Sequence, residues 1–252
     1  MAGSQADARE VVITSLTTED QFREAVELQR TIWGFEEVDL LPFRFFVVAV
    51  KVGGQLFGAF DKDRMVAFCL AIPGLKPGGK PYLHSHMLGV LSEYRDYGLG
   101  QRMKLHQRED ALDRGIELIE WTFDPLELKN AWFNIEKLGA VVRRYVRNQY
   151  GMSSSHLQGG LPTDRCTAEW WIDSRRVHAR AGGGEIERPP VVDSVVYPAN
   201  IAEIRSNDPG RAREIQAANA ERFEEAFRKG LVVTGIGRTQ DTTSYLLSEA
   251  AE

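Results

Sequence analysis

The sequence predicts an α/β protein with a mixed, mostly antiparallel central sheet flanked by helices. Residues 55–91 hold three apolar runs separated by polar or Gly/Pro-rich turns, as in consecutive antiparallel strands. A helical pattern between Gly98 and Gly115 then leads into a fourth apolar run over 116–123. Because a strand–helix–strand unit of this kind makes its two strands parallel, the sheet is expected to be mixed.

Capping and turn residues place the first elements. An apolar run over 11–13 predicts a strand, and Thr17 and Gly34 mark the two ends of the helix that follows. A short helix is expected over 42–52. The three antiparallel strands then cover the apolar runs at 55–60, 65–72 and 82–91.

The later elements complete one domain over residues 1–173. A helix over 128–138 is expected to end at Gly139, because glycine is favoured just past a helix C-terminus. A strand follows over 140–145, and a last core strand covers 169–172.

The composition changes after this domain. Residues 174–200 contain three consecutive glycines and Pro189–Pro190, which is typical of a linker. Residues 201–252 then predict a C-terminal extension made of a helix over 209–229 and a hairpin. The apolar content of the hairpin strands indicates that they dock on the main domain; they cover 231–236 and 244–247.

Composition excludes several classes of protein. The net charge of −5 argues against a general nucleic-acid-binding protein. No apolar run approaches the roughly 18 residues that a membrane span needs, and the first residues lack the pattern of a signal peptide. We therefore expect a cytoplasmic protein without a membrane contact, in which Cys69 and Cys166 are buried, reduced thiols. The sequence does not decide whether the protein forms a homodimer.

The most informative motif follows the strand that ends near Leu91. There the chain reads Arg95-x-x-Gly98-x-Gly100 and continues directly into a helix. The first N–H groups of a helix lack partners within it and favour negative charge, and glycines let an anion approach them. A Walker A loop would need Lys and Ser/Thr where Gln101 and Arg102 stand. We interpret the motif as a phosphate-binding helix N-terminus.

This loop resembles the acetyl-CoA pyrophosphate loop of the GCN5-related N-acetyltransferases (GNAT). Val90 on the preceding strand and the pair Glu93–Tyr94 belong to the resemblance, and Glu136-Lys137-Leu138-Gly139 is similar to the end of a later helix of that family. The resemblance covers about residues 11–172. It implies an acetyl-CoA or other acyl-CoA cofactor held by Leu88, Gly89, Val90, Arg95, Asp96, Tyr97, Gly98, Leu99, Gly100, Gln101 and Asn130.

The catalytic residues are less well defined. The family often carries a tyrosine as general acid on the later helix, where this chain has Ile135; Tyr145 and Tyr150 are alternatives. His84, on the strand before the loop, is the candidate base, because an imidazole suits proton removal near neutral pH. A structural role for His84 is equally open, and with His86 it does not make a metal site, since no third ligand lies nearby.

Two acids flank Pro125 at the end of a strand. Asp124 and Glu127 are candidates to bind a cationic amine, although Asp before Pro is also an ordinary turn. The resemblance implies direct transfer of an acetyl group from acetyl-CoA to a small-molecule or peptide amine in a ternary complex. The alternative, suggested by Ile135, is a non-catalytic acyl-CoA-binding or regulatory protein of the same fold.

Overall fold

The protein is built on one ten-stranded sheet. In the computed structural model, which describes residues 10–151 and 160–249, the strand order is β1-β2-β3-β4-β5-β7-β6-β9-β10-β8. The strands are β1 Val11–Ser15, β2 Gln55–Asp61, β3 Arg64–Leu75, β4 Pro81–Val90, β5 Leu118–Phe123, β6 Val141–Val146, β7 Arg165–Trp171, β8 Asp193–Pro198, β9 Val232–Arg238 and β10 Thr242–Ser248.

Helices cover the sheet. They are α1 Glu19–Trp33, α2 Phe43–Lys51, α3 Leu99–Asp113, α4 Leu128–Trp132, α5 Arg175–Ala181, α6 Ile201–Asn207 and α7 Pro209–Arg228. Thr18, not Thr17, caps α1, because it forms a reciprocal capping box with Gln21. The predicted helix over 128–138 is α4 followed by a π-helical turn, Phe133–Lys137. No helix in the described ranges is both long and apolar enough to cross a membrane.

The pairing confirms the predicted mixed, mostly antiparallel sheet. β2, β3 and β4 pair antiparallel in chain order, and β4 pairs parallel with β5. The strand predicted over 169–172 is the longer β7, which lies between β5 and β6. It is not the last strand of the sheet, because the C-terminal strands continue the same sheet beyond β6.

Residues 174–200 are not a linker along their whole length. They contain α5 and the edge strand β8, which pairs antiparallel with β10. The glycines at 182–184 and Pro189–Pro190 interrupt the chain between these elements, as their composition predicts. The β8 signal was missed because only Val195 and Tyr197 of this short strand are buried. The predicted hairpin is β9–β10, and β9 joins the sheet through Val142 and Val233.

The hydrophobic core forms two clusters on either side of the β4–β5 junction. The N-terminal cluster is formed by side chains of β1–β4, α1, α2 and the first part of α3, including Phe46, Phe68 and Met103. The C-terminal cluster contains Trp170 and Tyr245 and extends from β5 through β10 to α7. The sheet is continuous, but its interior is divided at the position where β4 and β5 meet.

A buried carboxylate joins the C-terminal strands to the π-helical turn. Glu136 Oε1 accepts from the backbone N–H of Ile236 at 2.7 Å. Its Oε2 accepts from Arg188 at 2.7 Å and from Arg180 at 3.1 Å. A carboxylate this buried is stable only when it is paired and hydrogen-bonded, so Glu136 connects the turn, β9 and the segment after α5.

We expect Glu136→Gln to lower the free energy of unfolding by about 2–3 kcal/mol, because it leaves Arg180 and Arg188 without their anion. Denaturant unfolding at neutral pH measures the change. Glu214→Gln is the control, since Glu214 forms only an exposed pair with Arg211 on α7 and its loss should leave stability unchanged. Equal stability of the two variants would contradict a structural role for Glu136.

Candidate functional site

A cleft opens where β4 and β5 part. The two strands are paired only at Leu83–Ile119 and His84–Glu120. Beyond these positions β4 stays on β3 while β5 follows β7. A cavity of about 430 Å³ lies in the fork, with walls from α1 and the segment after it, β4, β5 and α4. Within the described part of the chain, the backbone edge of β4 that faces the fork therefore has no strand partner over 85–90.

β4 carries a bulge at the start of the cleft. Ser85 pairs with Ala71 and Met87 with Leu70, so His86 is the extra residue. After the bulge Leu88 faces α3 and Gly89 faces α1. A Cβ at Gly89 would lie 2.8 Å from side-chain atoms of both Ile32 and Trp33, so only glycine fits between the strand and this helix.

The loop after β4 leads to the N-terminus of α3. Gly98 is the residue before the helix and has φ +75°, a conformation that glycine adopts without strain. A Cβ there would meet no atom within 4 Å, so the space beside it is open. Among the described residues, no protein acceptor binds the backbone N–H groups of Asp96, Tyr97 and Gly98. The loop presents uncommitted donors to solvent at the positive end of a helix.

The other predicted cofactor residues differ in their position relative to the cavity. Leu88 and Asn130 line the cavity, and Asn130 is exposed. Arg95 instead donates from Nε to the carbonyl of Val90 at 3.1 Å, which fixes the loop on the end of β4. The Leu99 side chain is buried in the N-terminal cluster, so only its backbone is available. Gly100 and Gln101 lie half-buried in the first turn of α3.

His84 lies at the base of the fork. In the strand pairing it lies opposite Glu120 of β5. The Glu120 carboxylate accepts hydrogen bonds from Arg144 at 2.6 Å and from Lys76. Burial, followed by the neighbouring His86, lowers the pKa of His84 to about 4. The expectation that it titrates near neutral pH is therefore wrong, and its imidazole is uncharged there. His86 lines the cavity, and burial also lowers its pKa.

The two alternative tyrosines occupy different places. The Tyr145 hydroxyl donates to Asp164 at 2.6 Å and its ring stacks on Phe223, so it is a core residue. Tyr150 lines the cavity, with its hydroxyl 2.7 Å from Thr122 Oγ1 on β5. Ile135 is fully buried in the π-helical turn.

Asp124 and Glu127 line the cavity but are already paired. Arg205 of α6 contacts both carboxylates, and its Nη1 lies 3.1 Å from Asp124 Oδ2. Asp124 Oδ1 also accepts from the N–H of Leu126 at 2.8 Å, which closes the turn around Pro125. The geometry favours the turn interpretation of Asp124. Through Arg205, α6 also holds this wall of the cleft in place.

Sequence reasoning missed Lys104. This α3 side chain is only 4% exposed and lines the cavity. Its Nζ donates to Ser85 Oγ at 2.7 Å and to Gln107 Oε1 at 3.2 Å, and lies 3.8 Å from the centre of the Trp121 ring. The signal was the spacing of Gly100, Lys104, Gln107 and Ala111, which places the lysine on the inward face of the helix.

A second missed group is the Asn134 amide. Its side chain is 2% exposed and lines the cavity, and Nδ2 has no hydrogen-bond acceptor within the described part of the chain. A buried donor without an acceptor costs free energy, so this amide is available to an acceptor on a bound molecule.

Both cysteines are free and buried, as predicted. Burial raises the pKa of Cys69 to about 12 and raises that of Cys166 well above its usual value. Since the thiolate is the nucleophilic form, neither cysteine is suited to carry an acyl group.

Comparison with known proteins identifies the fold. No protein-family model matches the sequence, and no curated protein matches it significantly. Solved structures do match. Arabidopsis thaliana NAA60 in complex with acetyl-CoA has a TM-score of 0.54 at 13% identity, covering 65% of this chain and 99% of that one. Aminoglycoside 6'-acetyltransferase type Ii gives 0.52 at 21% identity, with coverage of 65% and 99%.

The ribosomal-protein-S18-alanine N-acetyltransferase from Escherichia coli is a third example, with a TM-score of 0.51, 18% identity and coverage of 65% and 95%. At such identities the likeness shows the fold alone. The chain has the fold of the GNAT N-acetyltransferases, as the resemblance of its loop implied.

The lowered pKa of His84 has a consequence for stability. The unfolded chain binds a proton at His84 below about pH 6.5, whereas the folded chain does so only near pH 4. Keeping His84 uncharged in the folded chain therefore adds to the free energy of unfolding above pH 6.5, and this stabilisation is lost as the pH falls toward 4. We expect His84→Gln to be less acid-sensitive than the parent in this range, measured by urea unfolding. A His84→Gln variant that keeps the parent's pH dependence would contradict the assignment.

Proposed function

We propose that the protein is an N-acetyltransferase that uses acetyl-CoA or another acyl-CoA. The observation that carries the proposal is the combination of a forked β4–β5 pair with uncommitted backbone donors at the end of the same strand. An extended donor molecule with a phosphate end matches both features: the loop suits the phosphates and the free edge of β4 suits an amide-containing chain. Structural neighbours solved in complex with acetyl-CoA or CoA support this choice.

The residues present fit such a cofactor. The backbone N–H groups from Asp96 to Gln101 would bind the diphosphate, with space beside Gly98 for its approach. The backbone of Leu88, Gly89 and Val90 would pair with the amides of the pantetheine arm. Asn130 on α4 and the unpartnered Asn134 amide add side-chain donors on the opposite wall. The cofactor supplies the activated acyl group; the protein supplies position and proton transfer.

Transfer to an amine requires a neutral nitrogen and a route for its proton. His86 is the histidine in the cavity, and the rings of His84 and His86 are 5.9 Å apart between centroids. We assign His84 the role of proton acceptor in a pair with His86 at the cleft. An uncharged imidazole can accept a proton but holds it weakly, so the pair acts by passing the proton on to solvent. A direct transfer, without an acyl-enzyme, agrees with two buried, unreactive thiols.

The acceptor enters on the wall opposite α4. The cavity lining from this part of the chain contains Trp33, Phe35, Asp39 and Leu41. It combines apolar surface with few polar groups, as in sites for small molecules or peptide ends. The structural neighbours include a ribosomal-protein-S18-alanine N-acetyltransferase, an aminoglycoside 6'-acetyltransferase and the NatC complex bound to Gag peptide and CoA, and we propose a small-molecule or peptide amine as the acceptor here.

Ile135 favours a second candidate, a non-catalytic acyl-CoA-binding protein. Its apolar side chain occupies the position at which the family often has an acidic hydroxyl. Release of free thiol from acetyl-CoA with a panel of amines separates the two. Binding without thiol release supports the second candidate, and amine-dependent release supports the enzyme.

We expect Gly98→Val to weaken acetyl-CoA binding at least tenfold in a calorimetric titration. A β-branched residue does not tolerate φ +75°, and its side chain occupies the approach to the loop donors. The matched control is Gly115→Val at the other end of α3, where φ is +68° and a Cβ also meets open space. Both variants carry similar backbone strain, so unchanged affinity for Gly98→Val, or an equal loss for both, would overturn the loop assignment.

A further inference from the structure

A lysine buried inside the cleft is without a carboxylate. Among the residues that the structure describes, the Nζ of Lys104 has no carboxylate oxygen within 4 Å. Its neighbours are a hydroxyl, an amide oxygen and the face of Trp121. A buried ammonium is normally paired, so this one is unusual as a purely structural group.

The position of Lys104 relative to the loop is the second observation. Lys104 lies one helical turn beyond Gly100, and its Nζ bonds to Ser85 at the bulge of β4. A strand rises about 3.3 Å per residue, so Ser85 lies roughly 15 Å along β4 from the loop at its end. An extended arm that starts at the loop and follows β4 therefore brings its far end to the level of Ser85 and Lys104. This inference rests on the proposed function.

We infer that Lys104 is the proton donor to the sulfur that leaves when the acyl group is transferred. The acceptor nitrogen forms a bond to the carbonyl carbon, and the carbon–sulfur bond breaks with its electron pair going to sulfur. A proton from the Lys104 ammonium goes to that sulfur, which leaves a neutral amine. The proton lost by the acceptor nitrogen goes by way of the His84–His86 pair to solvent, and Lys104 regains one from solvent. Lys104 thereby takes the role that Ile135 cannot perform.

The surroundings of Lys104 agree with this role. Burial, the first cause, lowers the pKa of Lys104 to about 7, so the ammonium and the amine are both present at neutral pH. The face of the Trp121 ring and the Ser85 oxygen both stabilise the positive charge of the ammonium. The titratable or charged groups that face it or share the cavity are Cys69 on β3, His84 and His86 on β4, and Asp39, Asp124, Glu127, Tyr150 and Arg165.

The first test uses CoA itself and requires no acceptor; the turnover measurements then use the amine that gives thiol release in the parent. The thiol of CoA is titrated in the complex through the ultraviolet absorbance of its thiolate. We expect a bound thiol pKa below the value of about 8.5 for a free thiol but still above the pKa of about 7 for Lys104, because the ammonium beside the sulfur stabilises the thiolate and can still protonate it. Lys104→Met, which keeps the volume and removes the charge, should return the pKa to the free value or above it.

Lys104→Arg separates charge from proton donation. It should keep the lowered thiol pKa and still lose acetyl-CoA turnover, because a guanidinium does not release a proton near neutral pH. In the parent, turnover should fall above about pH 7 as Lys104 loses its proton. The residual turnover of Lys104→Met should not decrease in this pH range.

Desulfo-CoA is the control ligand, since it keeps the diphosphate and lacks the sulfur. Its affinity should be the same for the parent and both variants. A thiol pKa that is normal in the parent complex overturns the role of Lys104 even if a variant fails to fold. An equal shift in the parent and Lys104→Met overturns it too. If neither CoA nor desulfo-CoA binds the parent, the proposed function itself has failed.

Discussion

The parting of β4 from β5 is the constraint on which the site depends. Two pairs of residues, Leu83–Ile119 and His84–Glu120, hold the strands together, and within residues 10–151 and 160–249 no strand pairs with the later positions of β4 on that side. Buried backbone groups are rarely left unpaired, and this open edge is the feature on which the proposed cofactor site rests. The bulge at His86 and the glycine at position 89 let β4 fit between α1 and the cleft.

The C-terminal extension stabilises one wall of this fork. β9 adds to the sheet beside β6, and its Ile236 N–H binds Glu136 in the turn that carries Asn134 and Ile135. α6 places Arg205 between Asp124 and Glu127, and Tyr245 of β10 donates to the carbonyl of Pro125 at 2.6 Å. The wall formed by α4 and the end of β5 is therefore positioned by residues far away in the sequence.

Patterns local in sequence predicted most of the elements, and long-range contacts account for what was missed. Apolar runs bounded by turns were enough for β2 to β5, and the Arg95–Gly100 motif was enough for the open loop. The insertion of β7 between β5 and β6 follows no local signal. The low pKa of His84 and the burial of Lys104 arise from side chains that only the fold brings together. Asp124 and Glu127 were candidates for binding a cationic amine, with a turn as the alternative, and only the fold shows that Arg205 of α6 pairs with both.

In the proposed function, backbone donors at the start of α3 hold the diphosphate of a CoA ester. A titration of the ¹⁵N-labelled protein with CoA, followed by amide chemical shifts, tests it most directly. We predict large shifts for the N–H groups of residues 96–101 with CoA and none for them with pantetheine, which lacks the diphosphate but reaches the β4 edge. Unmoved loop amides in a protein saturated with CoA would contradict the account.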